Sequence, residues 1–143
     1  WSSFIYKDIN TFLPQGINFH HDKFSTSKKN VIRGIHGDSK TWKIITCISG
    51  EISQVVVDLR KDSKTYMKYF KIKLNEENKK LLLIPPNMGN AFLVLSSKAT
   101  YHYKLAYKGS YYDSNQQFTL KWNDERIGIK WFIKNPILSK RDK

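Results

Sequence analysis

A polar segment spanning residues 19–43 carries many of the side chains in the chain that could bind or activate a substrate. Its sequence, FHHDKFSTSKKNVIRGIHGDSKTWK, combines histidine, aspartate, lysine, serine and arginine without the clean alternation of a structural strand. Such departures from regular patterning are typical of strands that build a functional site. Composition alone leaves a functional role and a structural role equally open for this segment.

Several common chemistries lack their sequence signals. A metal site would need clustered histidines with a further carboxylate, whereas Asp38 stands two residues after His36 and no third histidine follows on the next hairpin. The chain has neither a Gly-x-Ser-x-Gly motif nor a glycine-rich phosphate loop, and Cys47 lies among apolar residues. The sequence therefore predicts no metal ion and indicates neither covalent nor phosphoryl-transfer catalysis.

The elements that must position these side chains are strands. Alternation of apolar and polar residues with a period of two dominates the chain, and convincing helical stripes are lacking. The pattern predicts strands at residues 42–49, 51–60, 65–74, 81–84, 91–96 and 99–107, with a further strand at 130–133. Many short strands separated by turns favour an all-β sandwich or closed barrel, inside which side chains from several strands can converge on one site.

The predicted strand at residues 99–107 separates its polar side chains into two sets. Strict alternation places Tyr101 and Tyr103 on one face of the strand, and His102 and Lys104 on the other. Tyr103 and His102 therefore cannot share a face of the strand, and we expect His102 to point outward.

Length and charge limit the classes of protein to which the chain can belong. We expect one domain over residues 1–143. The net charge of +13 comes mostly from lysines scattered singly along the strands, which favours a solvated surface over a nucleic-acid interface and leaves a few charges for a pyrophosphate.

The chain shows no targeting signal. No apolar run approaches the roughly 18 residues of a membrane span, no apolar leader opens the chain, and one cysteine allows no internal disulfide. We therefore expect a cytoplasmic protein with no membrane and no nucleic-acid partner. The chain begins at Trp1 with residues that look like part of a strand, which indicates that a native N-terminal segment is absent.

Six segments in order resemble one enzyme family over nearly the whole chain. They are RGIH (33–36), GEISQVVVDLRKDSKTY (50–66), IPPNMGNAFLVLS (84–96), YHYK (101–104), WNDERIGIKW (122–131) and ILSKRD (137–142). Together they are similar to the dTDP-4-dehydrorhamnose 3,5-epimerase family. Within it, residues 21–43 and the Gly89-Asn90-Ala91 variant look closest to the epimerases that act on GDP-linked 4-keto-6-deoxy-heptoses in bacterial capsule synthesis. The resemblance implies a cupin-type jelly-roll β-barrel with a short C-terminal extension, a homodimer and no cofactor.

The resemblance also implies a role for individual residues. The catalytic base matches His36, the carboxylate that orients it matches Asp124, the acid matches Tyr103, and Lys43 matches the lysine near the ketone oxygen. Removal of a proton next to the ketone gives an enolate, and return of a proton from the other face inverts the carbon. The substrate-binding residues implied are Arg33, near the phosphates, with Lys23, Ser25, His21, Asn90 and Lys104.

The chain departs from the family pattern in three places. Asn90 stands where the dTDP-sugar enzymes carry a second histidine in a Phe-Ala-His-Gly-Phe motif, and an amide can donate a hydrogen bond but cannot exchange protons as imidazole does. The spacing from His36 to Lys43 is shorter than in those enzymes, and the N-terminal strand of the family is missing.

The sequence thus predicts an epimerase that inverts C3, with or without C5, of a nucleotide-diphosphate 4-keto-6-deoxy sugar, with GDP-4-keto-6-deoxy-heptose as the expected substrate. Three alternatives remain open: a dTDP-4-dehydrorhamnose 3,5-epimerase, a 3,4-ketoisomerase on the same scaffold, and a binder of sugar nucleotides or nucleic acid without catalytic activity.

Overall fold

Nine strands dominate the computed structural model, which describes residues 1–143. A short helix, α1 (Tyr6–Ile9), is followed by a 3-10 helix at Asn10–Phe12. The strands are β1 (Phe19–Lys28), β2 (Ile32–Gly37), β3 (Trp42–Ser49), β4 (Glu51–Asp58), β5 (Tyr69–Asn75), β6 (Leu82–Ile84), β7 (Met88–Val94), β8 (Lys98–Ala106) and β9 (Phe118–Thr119). Neither helix has the length and apolar character that a bilayer crossing requires.

The strands form two antiparallel sheets that pack face to face. The four-stranded sheet has the order β1-β8-β3-β6, and the five-stranded sheet has the order β5-β4-β7-β2-β9. Strands that are distant in sequence therefore lie side by side, as β1 and β8 do. This arrangement is the all-β jelly-roll barrel that the sequence predicts.

Apolar side chains are buried on both faces of the five-stranded sheet. Between the sheets, Ile52 and Phe92 pack in one cluster with Tyr101 of the four-stranded sheet. On the outer face, Val55 belongs to a second cluster that Trp131 of the C-terminal segment covers. Because each fully buried apolar side chain contributes roughly 1.5–3 kcal/mol, both clusters hold the barrel walls in place.

Gly34 allows β2 to approach β7 closely, which positions the polar ends of both strands. It has a φ of +117°, and a Cβ at this position would lie 2.5 Å from the carbonyl oxygen of Asn90. Only glycine avoids this contact and adopts this φ without strain. The register between the strands shifts beside Gly34 and then places His36 opposite Asn90.

One prediction for the C-terminal region is wrong. Residues 130–133 form no strand; they run irregularly over the five-stranded sheet, where the indole N–H of Trp131 donates to the Trp122 carbonyl over 2.7 Å. Residues 139–143, although polar and charged, return to the barrel. Ile137 forms a parallel bridge with Val31, and Asp142 is buried.

Candidate active site

A cavity of about 360 Å³ opens between the two sheets and gathers most of the residues that the sequence singled out. Strand alternation explains this convergence, because every second side chain of each strand faces the barrel interior. The four-stranded sheet contributes Lys23, Ser25, Lys43 and Tyr103, the five-stranded sheet contributes Arg33, His36 and Asn90, and the later connections contribute Tyr111, Gln117, Ser139, Arg141 and Asp142.

His36 and Asp142 form a close pair in this cavity. The His36 Nε2 lies 2.5 Å from Asp142 Oδ1, and the Ser139 hydroxyl donates to Asp142 Oδ2 over 2.7 Å. Burial raises the pKa of Asp142, but the hydrogen bonds from His36 and Ser139 outweigh it and hold the pKa below its usual value. Asp142 is therefore ionised, so His36 carries its proton on Nε2 and leaves the lone pair of Nδ1 available.

Tyr103 lies on the opposite wall of the cavity. Its ring packs edge-on against Tyr101, with 4.5 Å between ring centroids. Burial raises the pKa of Tyr103 well above its usual value, although the positive charges of Arg33 and Arg141 oppose this effect. The phenol consequently keeps its proton at neutral pH and can serve as a proton donor.

Lys43 brings a positive charge into the same cavity. Only 7% of its surface is exposed. Burial lowers the pKa of Lys43, the Asp38 carboxylate raises it in part, and nearby Arg141 and Lys23 lower it further. An ammonium group that is desolvated in this way interacts more strongly with an oxyanion than one in water does.

Three further cations line the cavity. The Arg33 Nε donates to the Ser27 hydroxyl over 3.1 Å, and the Lys23 ammonium donates to the Tyr111 hydroxyl over 3.2 Å. Arg141 is held by Thr119 and Gln117, while its buried Nη2 has no partner in the protein. The cavity thus combines a histidine–carboxylate pair, a facing phenol and several positive charges.

Comparison with known proteins agrees with this chemistry. A family model described as dTDP-4-dehydrorhamnose 3,5-epimerase matches residues 2–143. The chain belongs to this family. It is a nucleotide-sugar epimerase, an enzyme of the isomerase class.

Individual relatives show how far the similarity extends. The dTDP-4-dehydrorhamnose 3,5-epimerase of Salmonella typhimurium is 39% identical over 130 residues, which span 88% of this chain and 69% of the relative. The epimerase of Legionella pneumophila in complex with dTDP-4-keto-L-rhamnose has a TM-score of 0.89 at 32% identity, covering 99% of this chain and 75% of that one. A 3'-monoepimerase of Streptomyces bikiniensis in complex with dTDP-quinovose has a TM-score of 0.87 at 25% identity, with 99% and 72% covered.

The structure of the epimerase brings seven of the residues predicted from the sequence to one cavity: His36, Tyr103, Lys43, Arg33, Lys23, Ser25 and Asn90. Their catalytic and binding roles remain predictions. His36 and Tyr103 lie on different sheets that face the same space, which is the arrangement that proton removal from one side and return from the other requires.

Asp124 is not the carboxylate that pairs with His36. It follows the turn after Trp122 and accepts two hydrogen bonds from the exposed Arg126, at 3.0 Å from Nε and 2.6 Å from Nη2. It does not line the cavity. Asp142 pairs with His36 instead, because the bridge between Ile137 and Val31 directs the last residues back toward β2.

Lys104 and His21 also lie outside the cavity. Lys104 lies on the outer face of the four-stranded sheet with His102, and its ammonium donates to both carboxylate oxygens of Asp22 over 2.8 and 2.9 Å. Strand alternation already placed Lys104 on the face opposite Tyr103. His21 shares a face with Lys23, but its Nδ1 lies 3.0 Å from the Tyr107 hydroxyl and its ring packs against Tyr111. His21 therefore supports a lining residue without lining the cavity itself.

Nine lining residues were missed in the sequence: Asp142, Arg141, Ser139, Gln117, Tyr111, Asp113, Ser114, Phe24 and Leu105. The first three belong to the ILSKRD segment, which resembles the family and carries charged residues after an apolar anchor. The resemblance of that segment to the family could have indicated that these three residues line the site. Gln117 had no signal of its own, because nothing in its local sequence indicates that its amide would hold Arg141.

Proposed function

We propose that this epimerase inverts C3, with or without C5, of a nucleotide-diphosphate 4-keto-6-deoxy sugar. The observation that carries the proposal is the placement of the His36–Asp142 pair on one wall of the cavity and of Tyr103 on the other. The reaction needs a base, an opposing acid and a stabilised ketone oxygen, and the lining residues supply all three.

The first step is removal of the proton on a carbon next to the ketone. His36 accepts this proton on Nδ1, because Asp142 occupies Nε2. The electron pair of the broken C–H bond moves into the ring to form an enolate, and negative charge collects on the ketone oxygen. The Lys43 ammonium stabilises this charge, while Asp142 stabilises the imidazolium that forms.

The second step is return of a proton from the opposite face. Tyr103 donates its phenolic proton to the enolate carbon, and the ketone forms again with that carbon inverted. The proton that His36 gained and the proton that Tyr103 lost are exchanged with solvent before the next turnover, so the net reaction consumes nothing.

The nucleotide end of the substrate fits the cationic side of the cavity. Arg33 and Arg141 can each present two N–H groups to phosphate oxygens, and Lys23 adds a third positive charge. Tyr111 offers an aromatic face beside them, and His21 and Lys23 hold this ring in place. We propose that the pyrophosphate of the substrate contacts these cations and that the nucleotide base of the substrate packs toward Tyr111.

A dTDP-linked hexose is the substrate that the relatives support best, since several of them are named dTDP-4-dehydrorhamnose 3,5-epimerases. A GDP-linked heptose remains a second candidate because of two residues. Asn90 replaces the histidine expected at its position, and Asp113 lines the cavity near Tyr111 with a carboxylate that could accept the N–H groups of guanine.

Incubation in heavy water with dTDP-linked and GDP-linked 4-keto-6-deoxy sugars tests the proposal, with NMR identifying the carbon that acquires deuterium. We expect exchange at C3, with or without C5, and inversion at the exchanged carbon. The variant His36→Asn is expected to bind the nucleotide sugar but to incorporate no deuterium, and retained exchange would remove His36 from the role of base.

The same spectra distinguish the alternatives that the sequence left open. A 3,4-ketoisomerase moves the carbonyl carbon signal, whereas an epimerase leaves it at C4. Tight binding of the nucleotide sugar without exchange at any carbon would indicate a binding protein instead of an enzyme.

We also propose that residues 1–143 are a single domain that works as a homodimer in the cytoplasm. The outer edge of β1 in the four-stranded sheet has no neighbouring strand, and Phe24 on that strand is exposed, so a second copy could pair there. Sedimentation equilibrium measures the mass directly, and a mass of one chain would contradict the dimer. A role in capsule synthesis stays a prediction.

A further inference from the structure

The side-chain amide of Asn90 belongs to a buried hydrogen-bond network behind the cavity. Its Oδ1 accepts from Gln54 Nε2 over 2.7 Å and from the Tyr101 hydroxyl over 3.2 Å. The Tyr101 hydroxyl also lies 2.9 Å from Gln54 Oε1. Gln54 and Tyr101 have no exposed surface, so neither can contact a substrate directly.

A backbone carbonyl fixes the orientation of every amide in this network. Gln54 Nε2 donates to the Val55 carbonyl oxygen over 2.9 Å, and a carbonyl oxygen can only accept. The same Nε2 faces Asn90, so the atom of Asn90 that meets it must be the acceptor Oδ1. The Asn90 Nδ2 is therefore the atom left to face the cavity, with its N–H groups free to donate.

Asn90 also lies beside His36, the proposed catalytic base. The two residues are directly opposite each other in the pairing of β2 with β7, and both side chains face the cavity. Side chains at such paired positions have Cβ atoms about 4.5–5.5 Å apart. A donor at this position can reach an oxygen attached to, or next to, the carbon that His36 deprotonates.

We propose that Gln54 and Tyr101 are positioning residues that hold Asn90 as a fixed, neutral hydrogen-bond donor to the substrate oxygen that gains negative charge. This inference rests on the proposed function. A donor that is already oriented needs no reorganisation when the charge develops, so its contribution falls on kcat more than on KM. Asn90 transfers no proton in this scheme, which leaves proton transfer to His36 and Tyr103.

A double-mutant cycle tests whether Gln54 acts through Asn90. The probe is a dTDP-linked 4-keto-6-deoxy hexose in heavy water, with the GDP-linked sugar assayed in parallel. We expect Asn90→Ala to lower kcat for deuterium incorporation about 10²-fold and Gln54→Leu to lower it roughly 10-fold, with KM changing much less. In the Asn90→Ala background, Gln54→Leu is expected to have no further effect, because the amide that it positions is gone.

Two further variants separate positioning from a loss of structure. Tyr101→Phe keeps the ring that stacks on Phe92 and removes only the hydroxyl, so it should fold and lower kcat by a smaller factor than Gln54→Leu. Ser53→Ala, next to Gln54 but on the outer face of β4, should leave kcat unchanged. Equal losses from Gln54→Leu in both backgrounds, or losses confined to KM, would overturn the proposal.

The side-chain amide signals of Asn90 in ¹⁵N–¹H spectra test the positioning without any turnover. We expect one sharp pair of signals in the wild type, and broadened or doubled signals in Gln54→Leu because the amide can then rotate. Unchanged signals would overturn the positioning role even if kcat falls. A wild-type enzyme that exchanges no deuterium from either sugar would instead overturn the proposed function and, with it, the catalytic part of this inference.

Discussion

The His36 Nε2 lies 2.5 Å from Asp142 Oδ1, although 106 positions separate the two residues in the chain. The contact depends on the C-terminal segment, which crosses the outer face of the five-stranded sheet and returns beside β2 at Ile137. The proposed role of His36 as the base thus depends on the packing of that segment, because Asp142 of the segment makes the contact with His36.

We predict that Asp142→Asn lowers the rate of deuterium exchange by about 10²- to 10⁴-fold, because the amide neither stabilises the imidazolium nor fixes the proton on Nε2. Single-turnover exchange in heavy water measures this rate. Ser139→Ala is the matched control, since it removes one hydrogen bond to Asp142 and leaves the carboxylate in place. If Ser139→Ala lowers the exchange rate as much as Asp142→Asn does, the rate depends on the packing of the C-terminal segment and not on the Asp142 carboxylate.

Asp124→Asn should leave exchange and inversion at wild-type rates. Asp124 pairs with the exposed Arg126 outside the cavity, and its contacts do not reach His36. Steady-state kinetics of the variant beside those of Asp142→Asn compare the two aspartates directly. A large fall in kcat for Asp124→Asn alone would restore it as the partner of His36.

Strands β3 to β8 could be predicted from the sequence because alternation records which face of each strand is buried, whereas the bounds of β1, β2 and β9 were not predicted. The same alternation placed Tyr103 and Lys104 on opposite faces, and the structure has them there. Residues 130–133 have the apolar content of a strand but pack on a sheet without joining it, and content alone does not distinguish these two kinds of burial.

The types of residue in the site could be predicted from the sequence. Which of these residues contact each other could be predicted less well. Asp124 and Asp142 both lie in segments that resemble the family, and the sequence does not show which of them contacts β2. The arginine two residues after Asp124 engages it locally, whereas Asp142 is carried to His36 by long-range packing. Contacts of the second kind depend on the whole fold, so no local pattern encodes them.

Tyr103→Phe is expected to reduce inversion by about 10²-fold or more while exchange falls much less. His36 can still form the enolate, but without the phenol the proton returns mainly from the face that it left. NMR of the product gives inversion, and mass spectrometry of the recovered substrate gives exchange. Equal losses of both would assign Tyr103 a different task.

The pH dependence of kcat should report the ionisation of the Lys43 ammonium group. Because burial lowers its pKa, Lys43 loses its charge below the usual value of about 10.4, and kcat should decline on the alkaline side as pH rises through that lowered pKa. Tyr103 is not expected to contribute to this decline, since its pKa is raised. Lys43→Arg keeps the charge and should shift the decline to higher pH, while Lys43→Met should lower kcat about 10²- to 10³-fold below the pKa of Lys43, and its difference from wild type should shrink above that pKa. An alkaline decline that is identical in wild type and Lys43→Arg would exclude Lys43 as its source.

Asp58 holds the turn between β4 and β5 and gives a prediction about stability. Its carboxylate accepts hydrogen bonds from the Arg60 side chain, at 2.9 and 2.8 Å, and from the hydroxyls of Ser63 and Thr65, both at 2.6 Å. The hydrogen bonds from Arg60 are the largest influence on the pKa of Asp58 and hold it well below its usual value, although burial opposes them. A depressed pKa in the folded state means that the ionised carboxylate stabilises the fold above the unfolded pKa of about 3.9 and that this contribution is lost as the pH falls.

Asp58→Asn should therefore lower the free energy of unfolding by about 1–3 kcal/mol at pH 7, and the difference from wild type should shrink as the pH falls below about 4. Urea denaturation across this pH range measures both effects. Asp62→Asn, an exposed position in the same turn, is the matched control and should behave as wild type at every pH. A difference for Asp58→Asn that stays constant with pH would show that the shape of the side chain, and not its charge, holds the turn.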